Sequence, residues 1–238
     1  MVQTLKLGSL YLDGNSIAPE AKYQPGQIIS FGEAAPNIAI SWVPVNGMLI
    51  ADRCLLTNIS WDDLDAQGLV FGKEITVQGF RFKIRLLKVG GKEGTPNEWD
   101  DALDVVGENN DLWHWKRMFF WGQETVGIAA SRRAYRGFNS ARFWYYTTAS
   151  DRNALLSFRP VLEALHTDTS ALRPNQKILV IGHDGCVAGK LVEKTQYDLI
   201  LQSKPGGLVG KSAFIARMQD DVVAVDRNGI LSITTAFG

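Results

Sequence analysis

Residues able to do metal or nucleophile chemistry are few. His114, His166 and His183 are the only histidines, and Cys54 and Cys186 the only cysteines. None stands in HxH or HExxH spacing, and neither cysteine has a partner nearby, so the sequence predicts no metal site and no cofactor. Asn109, Asn110 and Asp111 could offer oxygens to calcium, but a helix-to-loop turn is the simpler use of that run. Cys54 lies in the apolar run MLIADRCLL and reads as core, whereas Cys186 follows the His183-Asp184-Gly185 turn and reads as a strand residue. No catalytic residue is assigned. The run from Gly206 to Ser212, GGLVGKS, comes one residue short of a phosphate-binding loop, because Pro205 stands where its first glycine belongs. Without a preceding apolar strand and a following long helix it reads as a glycine-rich turn.

Binding chemistry is better represented. The block from Asp111 to Leu162 holds Trp113, Trp115, Trp121 and Trp144 among many other aromatics. Between Asp111 and Arg152, seven lysines and arginines face three acids, while the stretch from Lys92 to Asn110 is acidic. Tyrosine, tryptophan and arginine anchor interfaces because they bury a large area with few rotors and keep a polar handle. A ligand surface is therefore expected at Trp113, Trp115, Arg133, Tyr135, Trp144 and Tyr145, facing a protein or a glycan. The competing use is a core filled by aromatics, with arginines bonding loop carbonyls; Arg142 and Arg159 are expected to be structural in that way. Neighbours on a strand point to opposite faces, so one of Trp144, Tyr145 and Tyr146 should turn away from the main core.

Those residues need elements to hold them. Ala39–Val43 and Gly47–Leu56 read as strands around a Val45-Asn46-Gly47 turn. Ser60 caps a short helix within 58–67. Phe80, Phe82, Ile84 and Leu86 alternate with Arg81, Lys83 and Arg85, the cleanest strand pattern in the chain. Thr95-Pro96-Asn97-Glu98 reads as a capping box opening a helix that carries Trp99, Ala102, Leu103 and Val106 and stops at Gly107. That helix has an acidic outer face, read as solvated. The segment 167–174 reads as a linker. Six short strands are expected after it, at 178–181, 185–191, 197–202, 213–218, 222–226 and 230–234, with Asp184-Gly185 and Asn228-Gly229 as hairpin turns.

Composition narrows the class. The chain has 238 residues, 25 basic and 25 acidic, and is 45% hydrophobic. Such a chain is globular, and its zero net charge argues against bulk nucleic-acid or anionic-membrane binding. No apolar stretch is long enough for a membrane helix. The N-terminus carries no secretion signal, so reduced thiols and a place in the bacterial cytoplasm or a virion are expected.

Arg136-Gly137, Ser140-Ala141-Arg142 with Trp144, and Ser157-Phe158-Arg159-Pro160-Val161-Leu162 together resemble the end of a C-type-lectin-like domain. The likeness is to the branch shared by formylglycine-generating enzymes and retroelement-diversified variable proteins. Trp121-Gly122-Gln123-Glu124 resembles its tryptophan-bearing central strand. Phe138 and Ser157 replace two of the branch's glycines, and its copper-binding cysteine pair is absent. The breakers of the first segment set off an arm at 1–36, and the strand and turn pattern gives a small all-β barrel or sandwich domain at 175–238; the resemblance, which does not reach that domain, implies a C-type-lectin-like domain at 37–165 and an α+β fold. It also implies non-catalytic binding, as a phage or prophage virion or receptor-binding component that forms homo-oligomers. The alternatives are a divergent oxidoreductase of the formylglycine-generating type and an intracellular protein-binding inhibitor or scaffold.

Overall fold

The computed structural model describes residues 4–127, 130–165, 168–204, 207–210, 213–219 and 221–236. Strands make up 47% of the structure and helix 11%. This overturns the α+β class, and nothing in the arrangement confirms a C-type-lectin-like domain. Among the described residues the α-helices are α1 (Trp61–Ala66), α2 (Glu98–Val106) and α3 (Asn110–Trp113). The physical reason is local. Glycine or Asx residues with positive φ recur through the chain, at Asp13, Gly14, Asn46, Gly47, Gly107 and Gly137 among others. Each turns the backbone before an apolar helical period can extend past a few turns.

Four sheets result. The first orders Leu5–Lys6, Ser41–Val45, Met48–Ala51, Pro160–Ala164, Phe80–Leu86 and Lys73–Val77 side by side. Asn46 and Gly47, both at positive φ, close its Ser41–Val45/Met48–Ala51 hairpin. The second sheet orders Trp144–Thr148, Arg132–Gly137, Phe119–Thr125, Leu156–Phe158, Leu56–Thr57 and Ala21–Lys22. Ser9–Leu12 lies between Asn15–Ile17 and Ile29–Gly32 in a small third sheet. The fourth contains every described strand from Lys177 onward, ordered Ile215–Gln219, Val222–Asp226, Asp198–Gln202, Gly185–Lys194, Lys177–Ile181 and Ser232–Thr235, with Leu208–Gly210 against Gly185–Lys194.

The six strands expected in the last third are all present. Asn228-Gly229, however, does not close a hairpin. It lies in a 3-10 turn capped by Asp226, and the strands on either side pair with different neighbours. The GGLVGKS run places Leu208–Gly210 in an antiparallel strand, not before a helix; its residues 206, 211 and 212 lie outside the described residues, as does His166. The segment read as a linker holds, from Asp168, a 3-10 turn at Thr169–Ala171.

The second sheet positions the aromatic block, and apolar clusters cover both its faces. Phe120 and Ala134 join Trp99, Trp113 and Val161 on one side. Trp121 and Tyr135 join Trp61, Leu156 and Phe158 on the other. This second cluster also contains Leu179, Ile181, Cys186 and Val209, so the fourth sheet shares its core. The amides of Asn46 and Gly47 donate to the carbonyls of His183 and Gly182, at 2.9 Å each, and pin that junction.

Helix α2 begins two residues later than the capping-box reading. Asn97, not Thr95, is the cap and accepts from the Asp100 amide at 3.0 Å. Its acidic face is not simply solvated. Glu98 binds Arg85 through both oxygens, Asp100 takes Arg136 at 2.7 Å, and Asp104 and Glu108 take Arg142. The opposite charges of neighbouring segments thus meet inside the fold.

Candidate binding site

The six expected ligand residues divide between two faces. Trp113 is fully buried, its indole donating to the Gly107 carbonyl at 2.8 Å and its ring 4.9 Å from Trp99. Trp115 is half-buried and donates to the Glu108 carbonyl. Trp144 donates to the Gly90 carbonyl at 2.7 Å and packs edge-on against Tyr146. Arg133 lies 4.1 Å from the Trp61 ring centroid and donates to the carbonyls of Ala130 and Arg132. These four side chains hold the fold together. Tyr135 and Tyr145 are directly cross-strand partners on the face that Arg133 shares and Trp144 does not, with rings 6.1 Å apart.

Around that pair the structure gathers residues that the sequence reading passed over. Trp121 is paired with Tyr135, which is paired with Tyr145, so three aromatics run across three strands. Exposure rises along the row from 0% at Trp121 through 8% at Tyr135 to 51% at Tyr145. Phe119 packs 4.7 Å from Tyr135 and stacks on Phe138 at 4.6 Å. Phe143, two residues before Tyr145, lies nearly parallel to it. Phe119, Phe138 and Phe143 are all half-exposed.

The Phe138 ring is set by strained backbone. Phe138 has φ +75°, in a region that L side chains rarely occupy. Gly137 before it has φ +103°, and a Cβ there would stand 2.4 Å from the Met118 carbonyl oxygen. The 114–118 loop clamps this corner: the Arg117 amide donates to the Phe138 carbonyl at 3.1 Å, and the Phe138 amide to the Trp115 carbonyl at 2.9 Å. Strain held by surrounding structure concentrates at functional sites. Lys116 and Arg117 are exposed beside the corner and form no ion pair among the described residues. Arg132, also exposed, covers the Tyr146 ring at 5.1 Å.

Trp144–Thr148 is the edge strand of the second sheet. The Gly137 amide bonds the Phe143 carbonyl, and the Ala149 amide bonds the Ser131 carbonyl. Odd-numbered residues therefore bond inward, and the backbone N–H and C=O of Trp144 and Tyr146 point along the open edge.

The thiols are withdrawn from solvent, while His183 is exposed. Both thiols are free and buried. Burial pushes Cys186 up to about 12 and also raises Cys54, despite Arg159 nearby. Burial, with the charges of Tyr145 and Asp151, pushes the Tyr135 phenol up to about 12. His114 makes a ring-nitrogen contact of 3.0 Å with Arg53 and another of 3.1 Å with the Leu112 carbonyl. No group of three or more potential metal ligands occurs among the described residues.

A cleft of about 570 Å³ lies elsewhere, lined by Lys83, Arg85, Lys88, Glu98, Glu163 and Leu231 among others. Its central cation is committed: Arg85 is buried, bidentate to Glu98 and 3.0 Å from Glu163. The aromatic face has no such internal partner for its exposed rings. No family model, curated protein or solved structure matches the chain.

Proposed function

We propose that this chain is a non-catalytic binding protein whose partner is another protein, engaged through the aromatic face and the open edge at Trp144–Thr148. The observation that carries the reading is the Trp121–Tyr135–Tyr145 row, which leads from core to solvent and ends beside unpaired strand backbone. An extended segment can add to such an edge, drawing affinity from main-chain bonds and selectivity from alternate side chains. Here those side chains would meet Phe143 and Tyr145. Lys116 and Arg117 lie beside the Phe138 corner of the face, and Arg132 lies across the sheet over Tyr146 beside the open edge; these cations favour a segment carrying acids. The withdrawal of both cysteines from solvent further supports binding over nucleophilic catalysis.

The test is an array of extended peptides, acidic and neutral, beside a glycan array, probed with the wild type and with Tyr145→Ser and Arg132→Glu. Capture of acidic peptides, lost in Tyr145→Ser and weakened in Arg132→Glu, supports the reading. Glycan capture alone, or peptide capture indifferent to both substitutions, overturns it.

A further inference from the structure

The fourth sheet carries a second concave site, away from the aromatic face. Lys177 and Lys190 are directly opposite one another on neighbouring strands, and Lys190 is directly opposite Gln202 on the next. Like charges so paired repel, and ordinary sheets avoid them. Lys204 stands two residues past the end of the Asp198–Gln202 strand, next to Ser203, whose hydroxyl donates to the Ala188 carbonyl at 2.8 Å. The Gly207 amide donates to the Lys204 carbonyl at 2.9 Å, and the Gly207 carbonyl accepts from the Ala188 amide at 2.8 Å, so the chain folds back over the strand.

The result is a groove of about 600 Å³, within the range of small-molecule sites. Lys177, Lys190 and Lys204 line it against one acid, Asp221, with Asn175 and Gln202 as further polar groups. Ala188, Gly189 and Gly207 line it with little or no side chain. All three lysines are exposed; the Lys177 ammonium lies 5.0 Å from the Phe80 ring centroid, and Lys190 and Lys204 make no such ring contact among the described residues. None of the three lysines forms an ion pair among the described residues.

We propose that this groove binds a small phosphorylated molecule, with Lys190 and Lys204 holding the phosphoryl group and the glycine floor admitting the rest. The choice of phosphate over carboxylate follows from charge. A phosphoryl group brings close to two negative charges to one tetrahedron, enough to answer two lysine ammonium groups, whereas a carboxylate brings one. A bound dianion also relieves the Lys177–Lys190 repulsion.

The experiment is calorimetric titration with inorganic phosphate and with adenosine 5′-monophosphate, citrate serving as the carboxylate control and sodium chloride fixing ionic strength. The full chain is compared with Lys190→Gln/Lys204→Gln. The expected result is saturable binding of phosphate-bearing probes, weakened roughly tenfold or more in the double variant. Tighter binding of the monophosphate than of phosphate places the rest of the molecule in the groove; equal binding assigns the site to free phosphate and overturns the small-molecule reading. A melting scan without ligand should show Lys190→Gln melting above the wild type, as repulsion is removed. No saturable binding, equal binding by the double variant, or citrate binding as tightly as the phosphates overturns the proposal.

Discussion

The two faces of the second sheet use the same residue types to opposite ends. On the face toward α2, every large polar side chain is tied down. Arg136 donates to the Val89 carbonyl and to Asp100, and Arg159 donates to the carbonyls of Ala51, Asp52 and Trp113 at 3.1, 3.0 and 2.6 Å. The Arg159 guanidinium also lies 4.8 Å from the Phe120 ring centroid. On the opposite face only the buried end of the row is anchored, the Trp121 indole donating to the Ile59 carbonyl at 2.9 Å, and the aromatics run out to solvent at Tyr145. Composition is therefore a poor guide to role here: what separates a scaffold arginine or tryptophan from a binding aromatic is which face of a strand it occupies and whether a helix covers that face.

The largest expected effect tests the covered face. Arg159→Ala removes the guanidinium that donates to three buried carbonyls and opens a void among Trp99, Trp113 and Phe120. Unpaired buried acceptors cost about 1–3 kcal/mol each. A loss near 5 kcal/mol is expected, or a fall in melting temperature of roughly 10 °C or more for a chain of this size. Thermal unfolding followed by tryptophan fluorescence checks this; a shift under about 3 °C would show that the arginine is not integral to that face.

The uncovered face carries a pH signature. The Tyr135 phenol ionises near 12 in the fold, against about 10 in an unfolded chain, because burial disfavours the phenolate. The folded state thus holds its proton more tightly between those values. Its contribution to stability is complete below pH 10 and is lost as pH rises through 12. Urea midpoints measured at pH 9.5 and 11.5 should fall more in the wild type than in Tyr135→Phe. Equal falls would mean that Tyr135 is as well solvated as an unfolded tyrosine.

Much of the scaffold was legible in the residues. Asn46-Gly47, the 80–86 alternation and the Ser60 cap act through short-range geometry, and each appears where its pattern puts it. The fold class was not legible: the likeness at 136–162 implied an α+β domain, whereas both expected helices form yet strands dominate the chain. The charge asymmetry between 92–110 and 111–152 was visible, but its meaning was tertiary: Asp100, Asp104 and Glu108 absorb Arg136 and Arg142. Within the site, strand parity was the available signal. The same alternation that separates Tyr145 from Trp144 also groups it with Phe143, and groups Phe119 with Trp121. Phe138 had no such signal, since its place depends on a left-handed corner held from the 114–118 loop.

Arg142 offers a smaller contrast with Arg159. It was expected to bond carbonyls, yet it reaches three carboxylates, Asp100, Asp104 and Glu108, with its side chain more than a third exposed. Exposed ion pairs contribute little because water screens them and the long side chains lose freedom. Arg142→Ala should cost about 1 kcal/mol or less, and the cost should shrink in high salt. A melting series in sodium chloride checks this, and a large salt-independent loss would place Arg142 with Arg159 after all.

The smallest stability effect belongs to the residue on which the binding proposal leans hardest. Tyr145 is 51% exposed and sits on an edge strand, so replacing it by serine removes little buried area. Its ring contacts with Tyr135 and Phe143 are offset by the freedom that the side chain regains, and a surface substitution of this kind is expected within about 0.5 kcal/mol of the wild type. A residue kept for packing would behave as Trp113 does, with stability and any binding falling together. A residue kept for a partner should separate the two, leaving the melting temperature in place while peptide capture disappears, since interface aromatics concentrate binding energy. Measuring both quantities on the same Tyr145→Ser preparation decides between these uses. A melting temperature lowered by about 5 °C or more would move Tyr145 to the scaffold side and leave the aromatic row a feature of the core alone.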